Sequence, residues 1–370
     1  MHCIDLIKYM EDWAPPGVAW ERDNTGLQIG SVKRKIKNIL LSLELNKEVL
    51  NEALSKNCNF IFTHHPLIFN PIKKLDLDKD EKSQLVETII KNDITVYSAH
   101  TNLDFTKDGV SFELANVLGL ENRKFLVNQD SNQVKLVVFV PEGSVDKVAD
   151  AIFESGGGII GEYDNCSYGS QGYGTFKGSE NSSPVIGEKE NFEKVNEVRL
   201  EVLVDSWKLK KVIKNLIASH PYEEPAYDIY PLKNENVNYG YGVIGDLTNP
   251  LTTDEFLKHV CSSLNIEAVK HSTGKNGSIS KVAVCGGSGS DLLKKAIQKD
   301  ADAFVTADIK YHSFEVANGK ILFVDAGHYE TEINILNNVQ KKLEKFLHHD
   351  DEINVYKFEG TTNPVKFFKM

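Results

Sequence analysis

Three stretches of the sequence end in side chains of the kind that bind divalent metals. IFTHHP closes on His64 and His65 before Pro66, VYSAHTNLD carries His100 and Asp104, and LFVDAGHYETE carries His328 and Glu332. His328 and Glu332 stand four positions apart, so one helical turn places both on a single face. Each stretch starts as an apolar run that reads as a buried strand. In a parallel sheet, functional groups collect just beyond the carboxyl ends of the strands. Imidazole with carboxylate suits Zn, Mn, Fe, Ni or Co. His64, His65, Asp104, His328 and Glu332 exceed the ligand set of one tetrahedral zinc and require no cysteine. Two ions sharing a bridging carboxylate would use all five. Metals about 3.5–4 Å apart can generate a hydroxide near neutral pH and clamp an oxyanion, which is hydrolytic chemistry.

Each piece taken alone has a plainer reading. Adjacent histidines at a strand end are often a surface feature, Asp104 could cap a helix starting near Lys107, and His328 with Glu332 could form a solvated helical face. The coincidence of three strand ends favours the metal site. Around it, His100 and His312 are candidate proton shuttles, with Asp308 and Lys310 as polar neighbours. His312 could equally be structural. GGSGSD (286–291) stands between a strand and a helix, where backbone N–H groups can hold a phosphate. It lacks the ending of a P-loop and the dinucleotide glycine fingerprint, so a tight turn is the simpler reading. His220 reads as a turn or interface residue and His348 and His349 as solvated. His2, His259 and His271 are unassigned.

The elements that must position these residues follow from the apolar pattern. KNILLSLEL (37–45), CNFIFTHH (58–65) and the start of DITVYSAHTNLD (93–104) read as strands, with a helix over NKEVLNEALSKN. KVAVCGG (281–287), ADAFVTAD (301–308) and GKILFVDAGHYETE (319–332) repeat the pattern, with a helix over SDLLKKAIQKD. This predicts an α/β metal-binding domain of two similar halves, 1–127 and 238–370, sharing one parallel or mixed sheet. The β-α-β…β-α-β pattern between them predicts an inserted ferredoxin-like α+β domain over 128–237. Its Gly/Ser-rich segment NCSYGSQGYGTFKGSENSSPVIGE reads as a hairpin with a loop or lid.

Composition sets the limits. With 370 residues, 41% hydrophobic and 26% charged, the chain has the profile of a soluble globular protein large enough for two or three domains. A net charge of -11 argues against nucleic-acid polymers and anionic membranes as partners. Five scattered cysteines without a Cys-x-x-Cys pair read as reduced thiols of a cytoplasmic protein. The opening MHCIDLIKYMEDWAPP reads as neither signal peptide nor membrane span, and no apolar run elsewhere approaches a spanning helix.

DNTGLQIG (23–30), FTHHPLIF (62–69), SAHTNLD (98–104), TADIKYH (306–312) and DAGHYETE (325–332) together resemble the motif set of the dinuclear-metal hexameric proteins, often named GTP cyclohydrolase 1 type 2 homologues. IGEYDNCSYGSQGYGTFKG (160–178) and HPYEEPAYDIYPL (220–232) resemble the insertion of the longer bacterial members. The resemblance implies two divalent ions per chain, zinc first, with manganese, iron, nickel or cobalt as alternatives. It implies His64 and His328 on one ion, His65 and Asp104 on the other, and Glu332 bridging. It further implies a toroidal homohexamer, its openings capped by an insertion resembling trimeric signalling modules. Glu44 stands where the family usually has Asp, which leaves that carboxylate without a clear role. The activity implied is hydrolytic opening of a purine nucleotide ring, with GTP as the named candidate: attack at C8 and release of formate. A phosphoesterase or amidohydrolase reaction would use the same residues. The alternative from another class is a non-catalytic, metal-binding regulatory or chaperone-like hexamer.

Overall fold

ILLS, FIFT, TVYS, AFVT and LFVD are buried at every residue, which is how strands read when helices cover both faces of a sheet. In the computed structural model, which describes all residues except 131, 162, 276, 348–351, 367, 369 and 370, they are strands of a mixed α/β fold with several sheets. The positions of His348 and His349 lie outside the described residues. The chain divides into two compact units, Met1–Asn128 with Tyr239–Met370, and Gln129–Asn238.

The first unit contains two sheets. One has five strands in the order Gly26–Ile29, Thr95–Ser98, Phe60–Thr63, Ile39–Ser42, Val355–Lys357, parallel except at the Gly26–Ile29 edge. Alternate residues serve its two faces. Leu41, Phe60, Phe62 and Tyr97 pack with Leu6 and Met10 of the Cys3–Trp13 helix and with Val339 and Leu343 of the Ile335–Leu347 helix. Leu40, Ile61 and Val96 pack with Val49, Ala53 and Ile89 on the other side. The second sheet has six strands in the order Lys270–His271, Leu322–Asp325, Ala303–Thr306, Ile279–Val284, Asn236–Leu251, Leu120–Gln129. The middle three of its C-terminal stretch, Ile279–Val284, Ala303–Thr306 and Leu322–Asp325, are mutually parallel. Phe256 and Val260 cover one face, Leu293, Ala296 and Ala317 the other.

The two strand–helix patterns therefore do not share a sheet, contrary to the sequence-based expectation. The free edges explain the difference. Gly26–Ile29 and Val355–Lys357 occupy the edges of the first parallel set, while Asn236–Leu251 and Lys270–His271 flank the second. Among the described residues, no edge of one parallel set is left to pair with the other. Connections between the sheets run through helices instead: Val110–Val117 packs against Ile279–Val284 and also against Ile335–Leu347.

The second unit runs strand, helix, two strands, helix, strand. Its antiparallel sheet has the order Ser167–Lys177, Phe192–Asp205, Gln133–Pro141, Tyr227–Pro231. The Gly-rich stretch forms the Ser167–Lys177 strand of a hairpin with Phe192–Asp205. Helices Val145–Glu154 and Leu209–Ser219 place Val148, Ile152, Val212 and Leu216 against Leu136, Val138, Leu200 and Val202 of the sheet.

Candidate metal centre

Three parallel strands stop just short of chemistry-bearing side chains. After Thr63 the ladder is prolonged by His64 N–H donating to Ser42 C=O and His65 N–H to Leu43 C=O at 2.8 Å, which holds both histidines at the sheet's carboxyl end. After Ser98 the chain turns through the one-turn helix Thr101–Asp104. After Asp325 comes Gly327 at φ 86°, then the short helix His328–Glu332, whose i, i+4 spacing brings His328 Nε2 to 3.1 Å from Glu332 Oε1. All these residues belong to the first unit.

The side chains converge. Glu332 Oε2 is 3.2 Å from His65 Nε2, Glu332 Oε1 is 3.8 Å from His64 Nε2, and that nitrogen is 3.5 Å from Asp104 Oδ1. Ligand atoms within 4.8 Å of one another define three groups able to hold a metal ion: His64 with Asp104 and Glu332, His65 with His328 and Glu332, and His64 with His65 and His100. Glu332 is common to the first two, at their centre. The grouping differs from the one the resemblance implied: His64 sits with Asp104, and His65 with His328. The cause is the i, i+4 helical turn, which delivers His328 and Glu332 together to the His65 side.

Every imidazole in the cluster is held from behind. Nδ1 bonds to Ala99 C=O in His64 (2.8 Å), to Glu44 Oε1 in His65 (2.9 Å), to Asp23 Oδ1 in His100 (2.9 Å) and to Asp308 Oδ2 in His328 (2.7 Å). An Nδ1–H donated outward orients each ring so that Nε2 faces the cluster, the arrangement typical of metal-ligating histidine. Three buried atoms of the cluster, His64 Nε2, Asp104 Oδ1 and Glu332 Oε2, have no hydrogen-bond partner among the described residues. Orphaned polar atoms at this depth are costly, and a cation among them would satisfy all three at once.

Electrostatics follow the same geometry. Burial opposes a charge on His65, but the carboxylates of Glu332 and Glu44 outweigh it and push its pKa up to about 10. The hydrogen bond to Glu332, with Asp308 behind, takes His328 up to about 9 against burial. Burial pushes the Asp104 carboxyl up. Glu332 is also deeply buried, yet His64, His328 and His65 hold it well below the carboxylate range. Asp23 is drawn down to about 2: burial resists, but His100 and the backbone and side chain of Thr101 bond to it. Cys285 faces the same cleft, where burial and the Asp104 charge push its thiol up to about 12.

A cleft of about 360 Å³ opens onto Asp104, His100, His328 and Glu332. Trp20, Phe105 and Tyr241 flank it, with ring centroids 5.5 Å apart for Trp20 and Phe105 and 4.6 Å for Phe105 and Tyr241. The GGSGSD loop forms another wall, but as a backing rather than an anion cradle. The N–H groups of Gly286, Gly287 and Gly289 already donate to Ser111, Thr331 and Thr306. Gly287, at φ +62°, lies so near Glu332 that an added Cβ would come within 2.2 Å of Oε1. The glycine is there for close approach.

Not every candidate joins the cluster. His312, expected as a candidate proton shuttle, stands on the exposed side of the Tyr311–Ala317 helix, 88% exposed, pairs with Glu315 at 3.3 Å and is not among the residues lining the cleft. Lys310, exposed at the start of that helix, does not line the cleft. Asp104 is no helix cap, because the following helix begins at Val110 behind Gly109. His220 is a turn residue: Nδ1 accepts from Tyr222 N–H and Nε2 donates to Phe139 C=O. Asp23 and Glu44 are the residues sequence reasoning missed. Asp23 opens the DNTGLQIG motif, and Glu44, left without a role by the Asp-to-Glu departure, reaches His65 through its longer side chain. Asp308, expected as a polar neighbour, proves to hold His328.

A mixed α/β protein that gathers imidazoles and carboxylates at strand ends in this way offers side-chain groups that could hold a metal ion. The chain belongs to the Duf34/NIF3 (NGG1p interacting factor 3) family, whose model matches residues 1–364. It is 38% identical over 344 residues, covering 92% of each chain, to a Halalkalibacterium halodurans protein named "GTP cyclohydrolase 1 type 2 homolog". A Bacillus subtilis protein of the same name is 37% identical over 368 residues, or 98% of this chain and 97% of the relative. Among solved structures, a Bacillus cereus protein related to NIF3 superposes with a TM-score of 0.83 at 36% identity, over 100% of this chain and 99% of that one. No helix among the described residues is long and apolar enough to cross a membrane.

Proposed function

We propose that the chain is a dinuclear metal-binding protein that works as a metal-dependent hydrolase, with the ring of a purine nucleotide such as GTP as its substrate. The observation that carries the metal reading is the set of three buried atoms without a hydrogen-bond partner among the described residues, His64 Nε2, Asp104 Oδ1 and Glu332 Oε2, surrounded by imidazoles whose Nδ1 atoms are all engaged outward. His64, Asp104 and Glu332 would hold one ion, and His65, His328 and Glu332 the other, with zinc the first expectation. Bound there, the pair would supply Lewis-acid polarisation and a water of lowered pKa.

The remaining steps fall to this chain's own residues. Trp20, Phe105 and Tyr241 offer flat apolar faces for a heterocycle at the mouth of the cleft. His100, oriented by Asp23, holds or passes a proton. The names of the curated relatives support the choice of GTP. We further read the protein as a cytoplasmic homohexamer, with Gln129–Asn238 as an inserted ferredoxin-like domain. The five free cysteines accord with a reducing compartment.

The test is elemental analysis of protein purified without added metal, followed by incubation with GTP. Two metals per chain and formate release that disappears in His65→Ala are expected. Metal-free protein that also fails to take up zinc would overturn the metal reading. Metal-loaded protein inert toward GTP would overturn the hydrolytic one and leave a metal-binding regulatory hexamer in its place. Solution mass tests the hexamer.

A further inference from the structure

A second cavity, of about 570 Å³, lies wholly within Gln129–Asn238 and takes no part in the metal centre. Its floor is the sheet face that the two helices leave open. Strand alternation decides this: Leu136, Val138, Leu200 and Val202 turn to the helices, so Phe139, Glu197 and Arg199 turn the other way. Residues 182–186 and the segment from Tyr222 to Ala226 complete the walls, joined by Ser183 N–H donating to Glu223 at 3.0 Å.

Glu197 is unusual for this setting. It is 8% exposed, lies among Phe139, Phe176 and Tyr222, and makes no ion pair among the described residues. Arg199, two positions on, is paired with Glu201 at 2.5 Å instead. Glu197 Oε1 accepts the Tyr222 hydroxyl at 2.9 Å. Its Oε2 lies against Gly174, where an added Cβ would come within 2.1 Å. A buried carboxylate with one neutral donor and no counter-charge is poorly compensated. The rings of Phe176 and Tyr222, at 5.9 Å and 64°, present faces and edges beside it, and aromatic faces attract cations. Glu223 and Glu224 line the same cavity, as do Lys177 and Arg199, neither of which pairs with Glu197 among the described residues, and Pro184, Val185 and Ile186 supply an apolar wall.

We propose that this cavity binds a small organic ammonium compound, with its charged nitrogen on Glu197 and its hydrocarbon body along Phe139, Phe176 and Val185. The ammonium supplies the missing counter-charge and donors, and the strand glycine at 174 keeps the carboxylate in reach. Such a ligand could be a free amine or an amino acid. Arg199, whose guanidinium spends one N–H on Glu201, is placed to meet a carboxylate in the second case.

Calorimetric titration of the full-length protein with isoamylamine and with leucine, which share one hydrocarbon body, tests this. Millimolar or tighter binding of at least one is expected, with isoamyl alcohol about tenfold weaker or worse, because it lacks the charge. Glu197→Gln keeps the shape and the acceptor for Tyr222, and should weaken binding about tenfold with the melting temperature unchanged. Arg199→Met distinguishes the sources: leucine binding lost while isoamylamine binding is kept indicates an amino acid, and leucine binding no weaker than in the unaltered protein indicates a free amine. The proposal is overturned if neither amine binds, if isoamyl alcohol binds as well as isoamylamine, or if a folded Glu197→Gln protein binds undiminished. The alcohol comparison needs no variant and decides the matter even if the substitution disturbs folding.

Discussion

Glu44 accepts a hydrogen bond from His65 Nδ1 at 2.9 Å, reaching the cluster from just beyond the Ile39–Ser42 strand. The Thr362 hydroxyl bonds to the other oxygen of the same carboxylate, so a segment near the C-terminus steadies it. This contact fixes which nitrogen of His65 faces Glu332. Glu44→Gln should lower metal affinity about 10–100-fold while leaving the fold intact. Competition titration with a chromophoric chelator, alongside circular dichroism, measures both. Unchanged affinity would show that His65 needs no such partner.

Removing the metal should destabilise the first unit. A ligand bound only to the folded state adds about 4 kcal/mol at about 1,000 times its Kd. His64 Nε2, Asp104 Oδ1 and Glu332 Oε2 would be left buried without a hydrogen-bond partner among the described residues. Calorimetric scans before and after chelation should show a lower melting temperature that zinc restores. Identical scans for the two samples would contradict the assigned site.

Gly287→Ala should damage the centre without touching a ligand. The new methyl would come within 2.2 Å of Glu332 Oε1 and 3.2 Å of His328 Nε2, at a backbone φ of +62°. Left-handed backbone costs a non-glycine residue about 1–2 kcal/mol before the clash is counted. Metal per chain, measured by elemental analysis on folded protein, should fall sharply. Gly319→Ala is the control, since it also has positive φ but its added Cβ meets nothing within 4 Å among the described residues, and it should keep full metal content.

The second unit carries its own pH dependence. Burial holds His220 below its ordinary value of 6.5. The folded state thus prefers the neutral ring. As pH falls through about 6.5, the unfolded chain takes up a proton that the folded chain does not, so stability declines until the lower folded pKa is reached and then levels off. Hydrogen exchange over 129–238 should be slower at about pH 7.5 than at about pH 5.5, after correction for intrinsic rates. His220→Asn should flatten that difference. A slope unchanged in the variant would assign the effect to another group.

How much of this was legible beforehand varies by residue. HH after FIFT, the Asp of TNLD and the i, i+4 pair of GHYETE announce themselves, because apolar strands ending in ligand-type side chains are a local pattern. Asp23, Glu44 and Asp308 do not, because an acidic residue in a loop looks the same whether it meets water or an imidazole. The exposure of His312 was equally hidden, since helix phase depends on which face the sheet covers. Nor could one predict that the two strand sets would form separate sheets, because that depends on which remote strands claim their edges.

The amino-acid sequence by itself determined the strands, the residue types offered at their ends and the balance of charge. Those follow from short-range periodicity and from what imidazole and carboxylate can bind. Tertiary structure alone decided that His64 stands with Asp104, that His65 stands with His328, and that Glu332 lies between them. Residues 64 and 332 meet only when two sheets are brought together through packed helices, and no local rule encodes such a distance.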